Sequence, residues 1–241
     1  MRPMSRGHDV QRRLQRRLAC HQALHDPVRE PRNGLRWLPE LRRWQAARLE
    51  RSFRRFLENP RSSAAARFFL TDVYGDHDFS RRDADIARVM PTMQRLLPGS
   101  LLATVSDGIA LGALTHAFDL RMAEALGEIA PRGKRLDDDR YAEAYRLVGK
   151  PLLREHQIGL IHDVGTGLGA AMRLPGIGTL LKVSRGPAKA AGLAELLAFL
   201  ERGVGAFTKL DNIRGFLDDI ERDERRAAER LFAGHPDPFG A

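Results

Sequence analysis

His116 stands in the most apolar long stretch of the chain, on one helical face with Leu102, Val105, Ile109 and Leu120. A buried imidazole needs a partner. It could ligate a haem iron axially, serve as a general base, or sit in the core hydrogen-bonded to a carbonyl or carboxylate, the common fate of buried polar groups. Glu155 and His162 are seven residues apart, two helical turns, and so share a face. Gln45 and Ser52, also seven apart, interrupt an apolar stripe. If these groups converge, they line a ligand pocket.

The segment Asp72-Val73-Tyr74-Gly75-Asp76-His77-Asp78-Phe79 crowds titratable side chains beside a turn, and Tyr74 is a further ligand-binding candidate. Calcium-loop spacing is missing there. The expected role is a capped loop, with Asp78 or Ser80 accepting from backbone donors of the next helix. No histidine has Asp or Glu three residues before it, so the Glu-x-x-His pairs of di-iron bundles are missing. The single cysteine, Cys20, supports neither a disulfide nor a zinc cluster. No metal ligand set is expected.

Ile161-His162-Asp163-Val164-Gly165-Thr166-Gly167-Leu168-Gly169 resembles the first motif of S-adenosylmethionine methyltransferases. That fold needs alternating strands and helices, with an acidic residue some 20 positions on to hold the ribose. The next acidic residue here is Glu195, and no β-branched strand follows Gly169. Small residues at 159, 165, 169 and 170 are instead expected to admit a neighbouring helix. Glycine costs about 1 kcal/mol per helix position, and close packing is the natural compensation.

The elements that must position these residues are helical. Leu and Ala together number 63, against 17 for Val and Ile. That balance favours helix over strand. Periodicity and caps predict helices at 36–58, 62–74, 81–97, 101–127, 139–149, 151–173, 175–184, 190–209 and 211–232. The helix at 101–127 is apolar on nearly every face and should be central. The expectation is an all-α protein, a single multi-helix bundle of about eight helices. Its domain spans 35–233, with a flexible basic arm at 1–34 and a loose tail at 234–241.

The formal charge of +9 is uneven. Residues 1–61 hold 16 Arg and 6 acidic residues; residues 62–241 hold 24 Lys and Arg against 25 acidic residues. Arg12, Arg13, Arg16 and Arg17 form a cluster suited to a polyanion, either nucleic acid or an anionic surface. No aromatic residue interrupts residues 1–36, so base stacking has no platform there. The twin arginines precede no apolar signal region, and the stretch 101–120 carries Asp107, His116 and Asp119. A transmembrane span rarely tolerates that load, so the expected compartment is the cytoplasm.

Several runs resemble a proteobacterial family of uncharacterised all-helical proteins. They are Phe68-Phe69-Leu70-Thr71-Asp72-Val73-Tyr74-Gly75, Asp78-Phe79-Ser80-Arg81-Arg82-Asp83-Ala84-Asp85-Ile86, Tyr141-Ala142-Glu143-Ala144-Tyr145, and Ser184-Arg185-Gly186-Pro187-Ala188. The resemblance covers about residues 36–232. It implies a helical fold and carries over no catalytic residue. The chain is thus expected to bind a protein partner or small ligand, with residues 36–58 as a contact surface. The alternative is a haem- or metal-dependent enzyme with its site inside the bundle.

Overall fold

The computed structural model describes residues 6–73, 99–133, 135–173, 179, 182–183, 185–186 and 194–240. The described residues are all-α and contain no strand. Nine α-helices are defined: α1 Arg6–His25, α2 Trp37–Ser52, α3 Arg54–Glu58, α4 Ser63–Phe68, α5 Gly99–Ile129, α6 Asp138–Val148, α7 Pro151–Met172, α8 Ala194–Phe207 and α9 Ile213–Ala233. The helix expected at 81–97, with Tyr74 and the Asp76–Asp78 loop, lies outside the described residues, as does most of the one at 175–184.

Helix α5, 31 residues long, is the axis of the fold. α1, α2, α6 and α7 all pack on it. No helix among the described residues is long and apolar enough to cross a membrane. Side-chain caps fix the starts of two helices. Asp137 accepts from the Arg140 amide at 2.9 Å to start α6, and Asn212 does the same for Gly215 at the start of α9. The stripe expected over 36–58 bends at Phe53, which separates α2 from α3.

Its apolar residues are not a free contact surface. Trp37, Leu38, Leu41, Leu49, Phe53 and Phe56 are all buried in the bundle. The stripe is the core face of α2 and α3, because a helix with one apolar side buries that side first.

Residues 6–25 of the expected arm form α1. α1 runs along the N-terminal half of α5 and buries Leu14 and Leu18 against Leu102 and Ile109. Leu14, Leu18 and His21 follow a helical spacing, which gives α1 an inward face that the dense arginines disguise. The tail is also docked. Phe239 packs on Trp44 at 5.6 Å and Tyr141 at 6.0 Å between centroids, Pro238 is buried, and Arg230 donates to the Gly240 carbonyl.

Two apolar clusters make up most of the core. One gathers Leu49, Phe53, Phe56, Leu111, Leu160, Phe207 and Leu217. The other gathers Trp37, Leu41, Leu120, Leu126, Tyr141, Tyr145 and Leu231. On α2 the break between them falls between Leu41 and Leu49, on α5 between Leu114 and Leu120, and on α9 between Ile220 and Leu231. Polar residues fill that level.

Candidate functional site

The level between the clusters is a transverse polar layer. α2 contributes Arg42, Gln45 and Arg48; α5 contributes Thr115, His116 and Asp119; α7 contributes Arg154 and Gln157; α9 contributes Glu224. Burying charge costs heavily unless each group is paired and hydrogen-bonded, so the pairings decide what the layer can do.

His116 is 3% exposed. Arg42 Nη2 lies 3.0 Å from its Nδ1, and a guanidinium can only donate. Nδ1 is therefore the acceptor and the proton sits on Nε2. Nε2 donates toward the Leu24 carbonyl at 3.1 Å and Asn33 Oδ1 at 2.9 Å. The Asn33 amide is oriented by its own Nδ2, which donates to the carbonyls of Leu24 and Glu30. The His25 ring stacks on His116 at 3.9 Å. Burial, reinforced by His25 and Arg42, holds the His116 pKa down at about 4. The imidazole is neutral, with both nitrogens engaged.

Asp119, one turn on, accepts from Gln45 Nε2 at 3.2 Å and lies 3.9 Å from Arg42 Nε. Burial pushes its carboxyl up to about 6, while Arg42, Gln45 and Arg154 pull the other way. Arg48 makes a two-pronged ion pair with Glu224. Arg154 is sandwiched between Phe118, at 3.6 Å, and Tyr145, at 4.5 Å. One nitrogen donates to Gln157 Oε1, and Gln157 donates to Thr115 Oγ1 at 2.8 Å. Nε and Nη2 of Arg154 are buried without a hydrogen-bond partner among the described residues.

The sequence-derived candidates divide three ways. His116 and Gln45 join the layer through Arg42 and Asp119. Ser52 ends α2 two turns past Gln45, level with Leu49 and Phe53. Glu155 and His162 do share a face of α7, but it faces α9 at the surface. Arg225 donates to Glu155 at 2.7 Å and His162 lies 2.9 Å from Asp218. These pairs hold α7 antiparallel to α9.

The glycine run serves the same packing. A side chain at Gly165 would collide with Leu217 of α9, one at Gly167 with Thr104 of α5, and one at Gly169 would approach Ile213 to 3.1 Å. α7 is helical throughout, so no phosphate- or cofactor-binding turn forms at 165–169. Gly159, expected to work likewise, has open space around it.

Pairing also sorts the arginines of the first quarter. Arg29, Arg32, Arg42 and Arg43 lie within 4 Å of a carboxylate. Arg48, Arg51, Arg55 and Arg61 do so as well. On α1, Arg12 pairs with Asp9 and Arg17 with Asp107. Arg13 and Arg16 are exposed, and no ion pair is seen for them among the described residues.

The profile of a domain of unknown function, DUF8198, matches residues 24–238. The chain belongs to this family. No curated protein and no solved structure matches it. The DUF8198 match takes in the whole polar layer and leaves most of α1 outside. Sequence reasoning missed Arg42, Arg48, Arg154 and Asp119 as members of the layer. Asp119 carried the clearest signal, a carboxylate between Phe118 and Leu120 in an apolar helix. Arg42 and Arg48 were hidden because they border a stripe whose flanks are basic anyway.

Proposed function

We propose that this DUF8198 protein is a cytoplasmic, non-catalytic binding protein that engages a protein partner through the turn between α6 and α7. The observation that carries this reading is the exposure of Leu147, Leu152 and Leu153, at 59%, 80% and 44%, on either side of one tight turn. Surface leucines scattered singly need no explanation, whereas a cluster marks an interaction site. The turn is rigid: Gly149 and Lys150 both have positive φ, and Pro151 opens α7.

Arg146 and Lys150 flank the leucines, with Glu143 one turn back on α6. The fitting partner is an apolar cleft with an acidic rim. A second copy of this chain would bring like charges together. The polar layer supports a structural rather than catalytic role, because its histidine has both nitrogens hydrogen-bonded. A haem or metal ligated by His116 would have to displace Arg42, or Leu24 and Asn33.

The test is affinity purification of the full chain from its native cells, comparing wild type with Leu152→Asp/Leu153→Asp. A specific partner should be lost with the melting point unchanged, since exposed substitutions typically stay within ~0.5 kcal/mol. Recovery of the same partner by the double variant refutes the assignment. A second reading, a small anionic ligand, rests on the two nitrogens of Arg154 that are buried without a hydrogen-bond partner among the described residues. It requires a carboxylate or halide to raise the melting point of wild type and leave Arg154→Met unmoved.

A further inference from the structure

We infer that the outer face of α1 is a contact site for the phosphate backbone of duplex nucleic acid, independent of the leucine turn. Folding distributes the arginine charge unevenly. Eight of the ten arginines from Arg29 to Arg61 lie within 4 Å of carboxylates. Their charge is offset by neighbouring carboxylates, for most of them at the exposed surface. What remains concentrated is α1, where Arg12, Arg13, Arg16 and Arg17 fall within six residues.

The helix presents three of them to solvent and turns Arg17 toward α5. Leu14, Leu18 and His21 face α5 and are buried, while Arg12, Arg13 and Arg16 face outward. Arg13, Arg16 and Arg17 line a shallow groove with Asp9 and Val10. The opposing acids are Asp9, paired with Arg12, and Asp107 of α5, paired with Arg17. Arg13 and Arg16 carry full charge to solvent. Six residues of helix span about 8 Å. Over that length a duplex presents roughly five phosphates; Arg13 and Arg16 can each meet one directly, while Arg12 and Arg17 reach one only by leaving Asp9 and Asp107. Each guanidinium is able to grip two oxygens at once.

The same face argues against the other polyanions. Gln15, Ala19, Cys20 and Gln22 complete it, so it offers no large apolar side chain to a bilayer. The apolar side of α1 is already occupied by α5. No Phe, Tyr or Trp lies on α1, and its His21 and His25 rings pack on each other and on His116 rather than on the arginine face, which favours a duplex over a single strand. Contact to phosphates alone carries no sequence information. The binding is therefore sequence-independent and steeply salt-dependent.

The experiment is fluorescence anisotropy of a labelled 20-base-pair mixed-sequence DNA duplex titrated with the full chain from ~50 to ~200 mM salt. Up to four phosphates neutralised give a slope of log K on log salt of up to about −3.6, and Arg13→Gln/Arg16→Gln should reduce its magnitude by about 1.8. At ~0.1 M salt that is a loss of between about tenfold and sixtyfold in affinity. Arg54→Gln, a control on an exposed arginine of α3, should bind as wild type does. Melting points of all three should agree. The proposal is overturned if Arg13→Gln/Arg16→Gln binds as tightly as wild type. It is equally overturned if wild type ignores the duplex and binds phosphatidylserine vesicles instead.

Discussion

Arg42 donates to Nδ1 of His116 across 3.0 Å, from α2 to α5, and that single bond decides which imidazole tautomer the core contains. With Nδ1 committed as acceptor, the Nε2 proton must point at Leu24 and Asn33, where the chain leaves α1. One side chain thus ties together three segments that share little apolar surface at this level. The neighbouring pairs repeat the pattern: Gln45 reaches Asp119 and Arg48 reaches Glu224. The layer fixes the register of α2 against α5 and α9, between two apolar clusters that could slide.

The protonation of this layer should be visible in stability against pH. An unfolded imidazole titrates near 6.5, whereas His116 is held at about 4. The unfolded chain binds more protons between those values. The stability from this site is full above pH 6.5 and falls as pH drops toward 4, by up to about 3 kcal/mol. Asp119 opposes it: its folded pKa of about 6 exceeds the ordinary 3.8, so its contribution rises as pH falls through 6. As pH drops from 7.5 to 4.5, urea midpoints should fall less steeply in His116→Gln than in wild type, and more steeply in Asp119→Asn. Three parallel curves would refute the linkage.

The glycines of α7 give a signed prediction. Gly159→Ala meets open space and should stabilise by up to about 1 kcal/mol through helix propensity. Gly165→Ala meets Leu217, which is buried and cannot yield, and Gly167→Ala meets the β-branched Thr104. Each should destabilise by about 1–3 kcal/mol, the usual cost of overpacking. Thermal melts of the three variants check the order. S-adenosylmethionine should shift none of them.

These glycines also mark how far the sequence could be read. Helical composition, the central α5 and the rejection of the methyltransferase turn all follow from residue type and spacing, because they depend on local backbone preference. The face that Gly165 and Gly169 share was legible for the same reason. Which helix lies on that face was not, since pairing between helices depends on side chains 50 residues away. Thr104 against Gly167 had no sequence signal. His116 was readable as a core histidine, but Arg42 was not readable as its partner. An arginine on a stripe's flank looks the same whether it bends inward or outward.

Arg48 and Arg154, both buried, should respond unequally to substitution. Arg48→Ala strips Glu224 of its two-pronged partner and should cost about 2–3 kcal/mol, because a partly buried carboxylate is left uncompensated. Arg154→Met keeps an apolar stem between Phe118 and Tyr145 and removes a charge with two nitrogens unpartnered among the described residues. Loss of the cation–π contact and relief of desolvation nearly offset, so the change should stay within about 1 kcal/mol. Losing Arg154 should also raise the Asp119 pKa further, since its charge helps hold that carboxyl down. Chemical denaturation separates the two cases; equal losses would show that Arg154 is as well paired as Arg48.

The contacts of the tail with α2 have an optical readout. Phe239 lies edge-on to Trp44, which stacks on Tyr141 at 4.1 Å, and Arg48 sits 5.3 Å over the Phe239 ring. Proline and glycine around it suggest looseness, but Gly234, at φ 70, turns the chain back at the end of α9 and sets the ring onto α2. Phe239→Ala should cost about 1–2 kcal/mol, below the value for a fully buried phenylalanine because the ring is only half-buried. It should also expose one edge of Trp44 and red-shift its emission, while Trp37, buried at the start of α2, reports no change. A Trp44→Phe background identifies which indole moved. An unshifted spectrum with unchanged stability would mean that the tail does not rest on this surface in solution.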